Sequence, residues 1–420
     1  MTETTIHADP YAEQSVVQAA RARGEPDWLV ERRAAGARAF AATAMPTPAL
    51  RLWKYTDVTA LDLAAFPPAD AAVTVRAETP AGAFAGPMAE ALTEALTGRD
   101  EIVRAQLDSL VTATESKFSA ANAAQWSQGV LVHAPAGTVF ERAVVITIES
   151  DAADATAIFP RLCIVAEERA DVTVIVRYRS GGQPLLVPGV VEVVAGPASR
   201  VRLVFDGRWG PATQEFTTIR SRLARDAEVQ ISSIVIGGRL VKQTIEALME
   251  GEGARSVIRA VALGDGEQHF DFVTLQDHIG PRTTSDVEIK AALAGASRSV
   301  YYGITRVEET AAGAQASQQN RNLLLSEHAK ADSDPVLEIL TADVIRCGHA
   351  ATVGPVDAEA MFYLQSRGLE RRASLQLLVS GFFQSVADAV PLSGAGDEAD
   401  DDSYETLHDA VIRKLATAEL

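Results

Sequence analysis

Two cysteines, Cys163 and Cys347, are all that 420 residues contain. That scarcity excludes a disulfide-built framework and fits a reducing compartment. It also excludes a four-thiolate metal site made by one chain, so any cluster held here needs ligands from another molecule. Basic residues are outnumbered: 38 Lys and Arg stand against 56 Asp and Glu, a formal net charge of −18. With no long basic block to displace counterions from phosphate, neither nucleic acid nor an anionic membrane is an expected partner. No uncharged apolar run approaches the ~20 residues that span a bilayer. The opening MTETTIHADPYAEQ lacks the basic and apolar regions of a secretory leader, so a cytoplasmic location is expected. The phosphate-binding GxxxxGK(S/T), H-E-x-x-H and G-x-S-x-G patterns are missing, and with them the expectation of hydrolytic or ATPase machinery in this chain. Aromatics make up only 6%, and no acid pair is evident, which argues against a groove that cleaves polysaccharide.

What is present falls into three zones: a mainly helical stretch over 1–124, a strand-rich stretch over 125–353, and a helical stretch over 354–420. In the first, Trp28, Leu29, Ala35, Ala39 and Phe40 mark one helix, broken at Met45-Pro46-Thr47-Pro48. Ile102, Val103, Leu107, Leu110 and Val111 predict another from about Arg99 to Ala120. In the second zone Val172, Val174, Val176 and Tyr178 share one parity, as do Val201, Leu203 and Phe205, the signature of strands with one buried face. Similar turns precede these strands. Ala170, Ala198, Ala227 and Ala254 lie 28, 29 and 27 residues apart, and the comparable Ala296 comes 42 residues after Ala254, an interruption of the register. Repeats of this length with about two strands each predict a parallel solenoid, with a β-sandwich built on similar turns as the alternative. In the third zone Asp357 is a candidate N-cap for a helix to about Arg367, with Gly368 ending it. Leu375, Leu378, Val379, Phe382 and Val386 predict the buried face of a second helix, ended by Pro391 and Ser393 to Asp397. An acidic linker from Asp397 to Asp402 leads to a last helix from about Ser403, striped by Tyr404, Leu407, Val411 and Leu415.

Three polar groups invite a chemical reading. His269, Asp271, Asp277 and His278 are metal or acid–base candidates, but their spacing matches no ligand template, and polar surface or turn positions are the favoured reading. Asn320 and Asn322 suit hydrogen bonding from coil to coil. Cys347-Gly348-His349 places thiol and imidazole on one face of an extended chain, about 7 Å apart by strand rise. Sulfur and nitrogen together make half of a soft-metal site. The alternative is a cysteine packed as a small hydrophobe, which Ile345, on the same parity, supports.

The segment QNRNLLLSEHAKADSDPVLEILTADVIRCGHAATVGPVDAEAMFYLQSRGL, residues 319–369, resembles the most characteristic stretch of the SufB/SufD family, and Cys347 to Gly354 resemble its SufD form. Trp53-Lys54-Tyr55-Thr56-Asp57 is similar to an N-terminal element of the same family. The resemblance implies a mainly β fold, a right-handed parallel β-helix core flanked by N-terminal and C-terminal helical domains. It implies a non-catalytic scaffold for iron–sulfur cluster assembly, paired through its core with a SufB-like paralogue and served by a SufC-like ABC ATPase, which docks on the C-terminal helices. On that resemblance Asp357, Met361, Phe362, Leu364 and Phe382 are partner-binding residues. His349, with Cys347 beside it, contributes to a transient iron–sulfur cluster shared with the paralogue. A homodimer is an alternative state of the isolated chain. Gly348 stands where serine is frequent in the family, and Ala350 where glycine is frequent.

Overall fold

The structure, a computed structural model, describes residues 9–93, 99–389 and 406–418. The expected acidic linker at Asp397–Asp402, Pro391 and the start of the last helix at Ser403 and Tyr404 lie outside the described residues.

Short β-branched runs separated by tight corners dictate the architecture. Successive strands from Arg161 to Pro355 alternate between two sheets, one of nine strands and one of ten. Within each sheet their neighbours come from the previous and the next coil, in parallel. The result is mainly β, a parallel β-solenoid of about eight turns flanked by helices at both ends of the chain. Apolar residues of one parity stack coil upon coil inside it. Val172, Val174 and Val176 pair in register with Val201, Leu203 and Phe205, and all six are buried.

The corners explain the repeat. Arg169, Ala198, Asp226 and Arg282 have φ between 55° and 59°, and Gly253 and Gly313 occupy the same place with φ of 71° and 74°. Each donates its N–H to the carbonyl just before the equivalent residue one coil on: Arg169 to Pro197, Ala198 to Arg225, Asp226 to Glu252, Gly253 to Pro281, Arg282 to Ala312. The left-handed conformation turns the chain through the corner, and the ladder of corner bonds repays part of its cost. The column runs without a break, because Arg255 pairs with Thr284, 29 residues on. The expected interruption is therefore corrected. Ala296 lies in the turn before Arg298–Val307, a strand of the other sheet, so the 42-residue step is one coil plus about half a coil.

The two ends of the solenoid differ. At the N-terminal end, strand Ala72–Arg76 pairs antiparallel with Val144–Ser150, and Phe84–Pro87 pairs antiparallel with Gly129–Ala134. These two strands, in a stretch expected to be mainly helical, cover the edge of each sheet. At the other end, Lys330–Ile339 and Val344–Pro355 are the last strands of their sheets, and each leaves one edge unpaired among the described residues.

Helix Asp27–Ala42 forms where expected. The helix expected over 99–120 is two, Arg99–Gln106 and Lys117–Gln125. Between them Asp108 is left-handed, with φ of 60°. The buried Glu192 carboxylate accepts the N–H groups of Asp108, Leu110 and Val111 at 3.0, 2.7 and 3.1 Å, and Arg161 balances its charge at 2.5 Å. Leu107, Leu110 and Val111 are buried as the spacing predicts, but a carboxylate has replaced the helical carbonyls as acceptor. At the C-terminal end, Arg371–Ala389 and Leu407–Thr417 lay Leu375, Val379, Phe383, Val386, Val411 and Leu415 on the outer face of the nine-stranded sheet, against Val204, Ile234, Val261 and Leu263. Phe383 rather than Phe382 is the fully buried aromatic of that face.

Candidate functional site

The open end of the solenoid carries the Cys347-Gly348-His349 triplet on strand Val344–Pro355. Val344 pairs with Ala314 and Arg346 with Gln315, so Ile345 is an extra residue, a β-bulge. The bulge overturns the parity argument for Ile345, since one inserted residue shifts which side chains share a face. Ile345 is 67% exposed, whereas Val344 and Cys347 pack on the small cluster of Val307, Ala311 and Ala314.

Beyond the bulge the alternation is regular. Cys347 pairs with Ala316, His349 with Gln318 and Ala351 with Asn320. Ala316, Gln318, Asn320 and Asn322 are all buried, while Gln315 and Arg321 on the other parity are exposed. Cys347 and His349 therefore share the lumen side, as their i and i+2 spacing predicts. With no further coil over them among the described residues, they are half-buried and exposed respectively. Burial pushes the Cys347 thiol above its ordinary value, so it is a protonated thiol at neutral pH until a metal displaces the proton. Sulfur and nitrogen side by side fit a soft metal or cluster as cargo. Among the described residues no three His, Cys, Asp or Glu side chains converge, so the donors this chain offers are a partial set.

The lumen changes character towards this end. Val287, Ile289 and Ala291 give way in the next coil to Gln318, Asn320 and Asn322. Asn320 Nδ2 donates to the Ile289 carbonyl of the coil before at 3.3 Å, and Asn322 Nδ2 to the Thr352 carbonyl of the coil after at 3.4 Å. The coil-to-coil bonding expected of the two asparagines is present. Around the rim Ile339, Leu340, Ile345 and Val353 are each 41% exposed or more. The unpaired edges and this apolar rim are features that residue-by-residue reading missed; the signal is that, among the described residues, no strand follows Pro355.

The expected partner-binding residues divide. Asp357 caps helix Ala358–Ser366, its Oδ1 accepting the Glu359 N–H at 2.9 Å, and Gly368, with φ of 93°, follows the helix end. No residue of this helix is buried. Phe362 is 74% exposed, with Tyr363 beside it also exposed, and Met361 and Leu364 are half-buried. Met361, Phe362 and Leu375 help line an open cleft of about 320 Å³ between this helix and the solenoid. Phe382 lies elsewhere, half-buried against the solenoid, where Lys290 Nζ donates to its carbonyl at 2.7 Å. The structure thus brings Met361, Phe362 and Leu364 together and leaves Phe382 apart from them.

The His269 group does not converge. His269 and Asp271 face outward under the Leu52–Asp57 segment: Thr56 Oγ1 lies 2.9 Å from His269 Nε2 and also donates to Asp271, while Lys242 Nζ donates to the Leu52 carbonyl at 2.7 Å and to Asp271 at 2.5 Å. This buried network fastens the WKYTD segment to the outer face of the ten-stranded sheet. His278 faces the lumen, bonded to Thr283 and Ser285 at 2.8 Å each. Burial lowers both histidines to about 4, so both are neutral structural groups.

Comparison with known proteins agrees with this geometry. A family model described as the SufBD core domain of the SUF system for FeS cluster assembly matches residues 147–382. An iron–sulfur cluster assembly SufBD family protein of Mycobacterium bovis is 29% identical over 275 residues, covering 61% of this chain and 68% of that protein. The iron–sulfur cluster assembly protein SufD of Bacillus subtilis is 28% identical over 307 residues, 72% of this chain and 70% of its own length. SufB of the same organism is 27% identical over 307 residues, 72% of this chain and 65% of its own.

Proposed function

The chain belongs to the SufBD family of iron–sulfur cluster assembly proteins, and from that premise we propose that it is the SufD-like, non-catalytic scaffold of a cytoplasmic complex that pairs with a SufB-like paralogue. The observation that carries this reading is the contrast between the two ends of the solenoid. One end is capped by antiparallel strands; the other exposes two strand edges, an apolar rim and the paired donors Cys347 and His349. Unpaired edges are templates for strand addition, and a paralogue with the same coil spacing can continue both sheets. Its arrival covers the rim and supplies the ligands that this chain lacks. The transient cluster is cargo, built where His349 and Cys347 meet the partner's donors. The exposed face of helix Ala358–Ser366 and the cleft behind it suit docking of a SufC-like ATPase, which provides the hydrolysis. When the paralogue is absent, a second copy of this chain is the alternative occupant of the open edge.

The test uses Ile345→Asp, which puts a charge on the exposed bulge without touching the core. Co-purification with the paralogue should fall at least tenfold while the melting temperature of the isolated chain stays unchanged. Undiminished pairing would remove the open end from the interface.

A further inference from the structure

Beneath His349 the lumen holds a polar chain that the scaffold role does not require. Gln318 lies in register with His349 on the neighbouring strand, about 5 Å away at Cα by the spacing of paired strands. Its Nε2 donates to Tyr301 Oη at 2.7 Å, and Tyr301 Oη is 3.1 Å from Thr274 Oγ1. Burial pushes the Tyr301 hydroxyl up to about 12, so it stays protonated; while accepting from Gln318 it can donate its own hydrogen bond to Thr274 Oγ1. The amide is thereby oriented nitrogen inward. Gln318 Oε1 is buried and has no hydrogen-bond partner among the described residues, in a side chain only 1% exposed.

The space for this arrangement is built in. A Cβ on Gly303 would lie 1.8 Å from Gln318 Nε2 and 2.2 Å from Tyr301 Oη, so the missing side chain at 303 is what admits both polar groups to the lumen. An unpaired buried acceptor is costly. A lumen-side neighbour that can relieve this cost from the open end is His349, whose ring carries an N–H.

We propose that Gln318 is a positioning residue for His349: its Oε1 accepts one ring N–H when the partner covers the open end, fixing the tautomer and leaving the other ring nitrogen, with its lone pair, aimed at the shared site. This inference rests on the assignment of His349 to the cluster site. It follows the general logic by which a ligating histidine is oriented through its second nitrogen. Tyr301 and Gly303 act one step further back, holding the amide.

The experiment labels this full-length chain with ¹⁵N-histidine, binds it to its paralogue at natural abundance, and reads the two ring nitrogens of His349 by two-bond ¹H–¹⁵N correlation. His349→Ala assigns the signal. One tautomer should dominate in the unsubstituted complex. Gln318→Leu should change the tautomer ratio about fivefold, the factor carried by one ordinary net hydrogen bond. Gln318→Glu, which keeps an acceptor, should restore the ratio. Tyr301→Phe, which keeps the ring but frees the amide, gives a second variant should Gln318→Leu fail to fold, and it should shift the ratio in the same direction. An unchanged ratio in the folded Gln318→Leu complex, or in Tyr301→Phe where Gln318→Leu does not fold, overturns the proposal. Failure here is distinct from failure of the cluster assignment: if His349→Ala complexes built clusters normally, the assignment would fall whatever Gln318 does to the ring.

Discussion

Acidification should destabilise the solenoid through His278, and the size of the effect follows from its surroundings. The imidazole is fully buried in the lumen. Thr283 Oγ1 donates to the Gly280 carbonyl at 3.1 Å, so toward His278 it can only accept, which places the ring proton on Nδ1. Nε2 then accepts from Ser285 Oγ at 2.8 Å, and a second proton has no place without turning that hydroxyl away. Burial holds the group at about 4 in the folded chain, against an ordinary value of 6.5. Above pH 6.5 both folded and unfolded chains carry neutral imidazole, and the contribution is fully present. As pH falls from 6.5 to 4 the unfolded chain binds a proton that the folded chain refuses, and stability drops. The gap of about 2.5 pH units, at about 1.36 kcal/mol each, amounts to about 3 kcal/mol, of which about 2 kcal/mol is gone by pH 5. Urea unfolding of the chain and of His278→Gln across pH 7.5 to 4 measures it. The variant, which does not titrate, should lose less stability by that difference. Parallel curves for the two proteins would refute the buried neutral imidazole.

Two further substitutions probe other parts of the molecule. Glu192→Ala leaves three backbone N–H groups without their acceptor and removes one of the two carboxylates on the buried Arg161 guanidinium, Asp108 remaining at 2.8 Å, and should cost about 3–5 kcal/mol; limited proteolysis should then cut within residues 107–116, and a resistant loop would show that the carboxylate does not hold it. Phe362→Asp alters a side chain that is 74% exposed, so stability should stay within about 0.5 kcal/mol; binding of a SufC-like ATPase, read by calorimetry, should be lost, and unaltered binding would move the docking surface elsewhere.

Much of this architecture is legible in the residues because a solenoid is local. Val172, Val174, Val176 and Tyr178 announce a strand with one buried face, and the next coil repeats the pattern under the same corner. The period is harder to read across Ala254, since the corner residues that follow are Arg282 and Gly313, one of them bulky and charged. A left-handed arginine carries no sequence signal, so the eye moves to Ala294-Gly295-Ala296 and lands half a coil too far. The helix expected from Arg99 to Ala120 fails for a different reason. Its apolar spacing is real, but Glu192, more than 80 residues away in the chain, supplies the acceptors that end the helix. The bulge at Ile345 is also invisible to parity, which assumes an unbroken ladder. For the candidate site, spacing placed Cys347 and His349 on one face, and the family resemblance gave His349 its expected role. Their position at the open end, the exposed rim and the Gln318–Tyr301 pair behind them depend on which strand has no neighbour, and that belongs to the assembled fold.

The role proposed for His349 is as a ligand to a cluster built at the junction with a paralogue. Iron and acid-labile sulfide should be measured in the reconstituted complex of this chain, its SufB-like paralogue and the SufC-like ATPase, with and without His349→Ala. The complex should stay intact while iron and sulfide fall together, with Cys347→Ser giving a smaller loss or none. Equal iron and sulfide in the His349→Ala complex, formed at the same rate, would contradict that role.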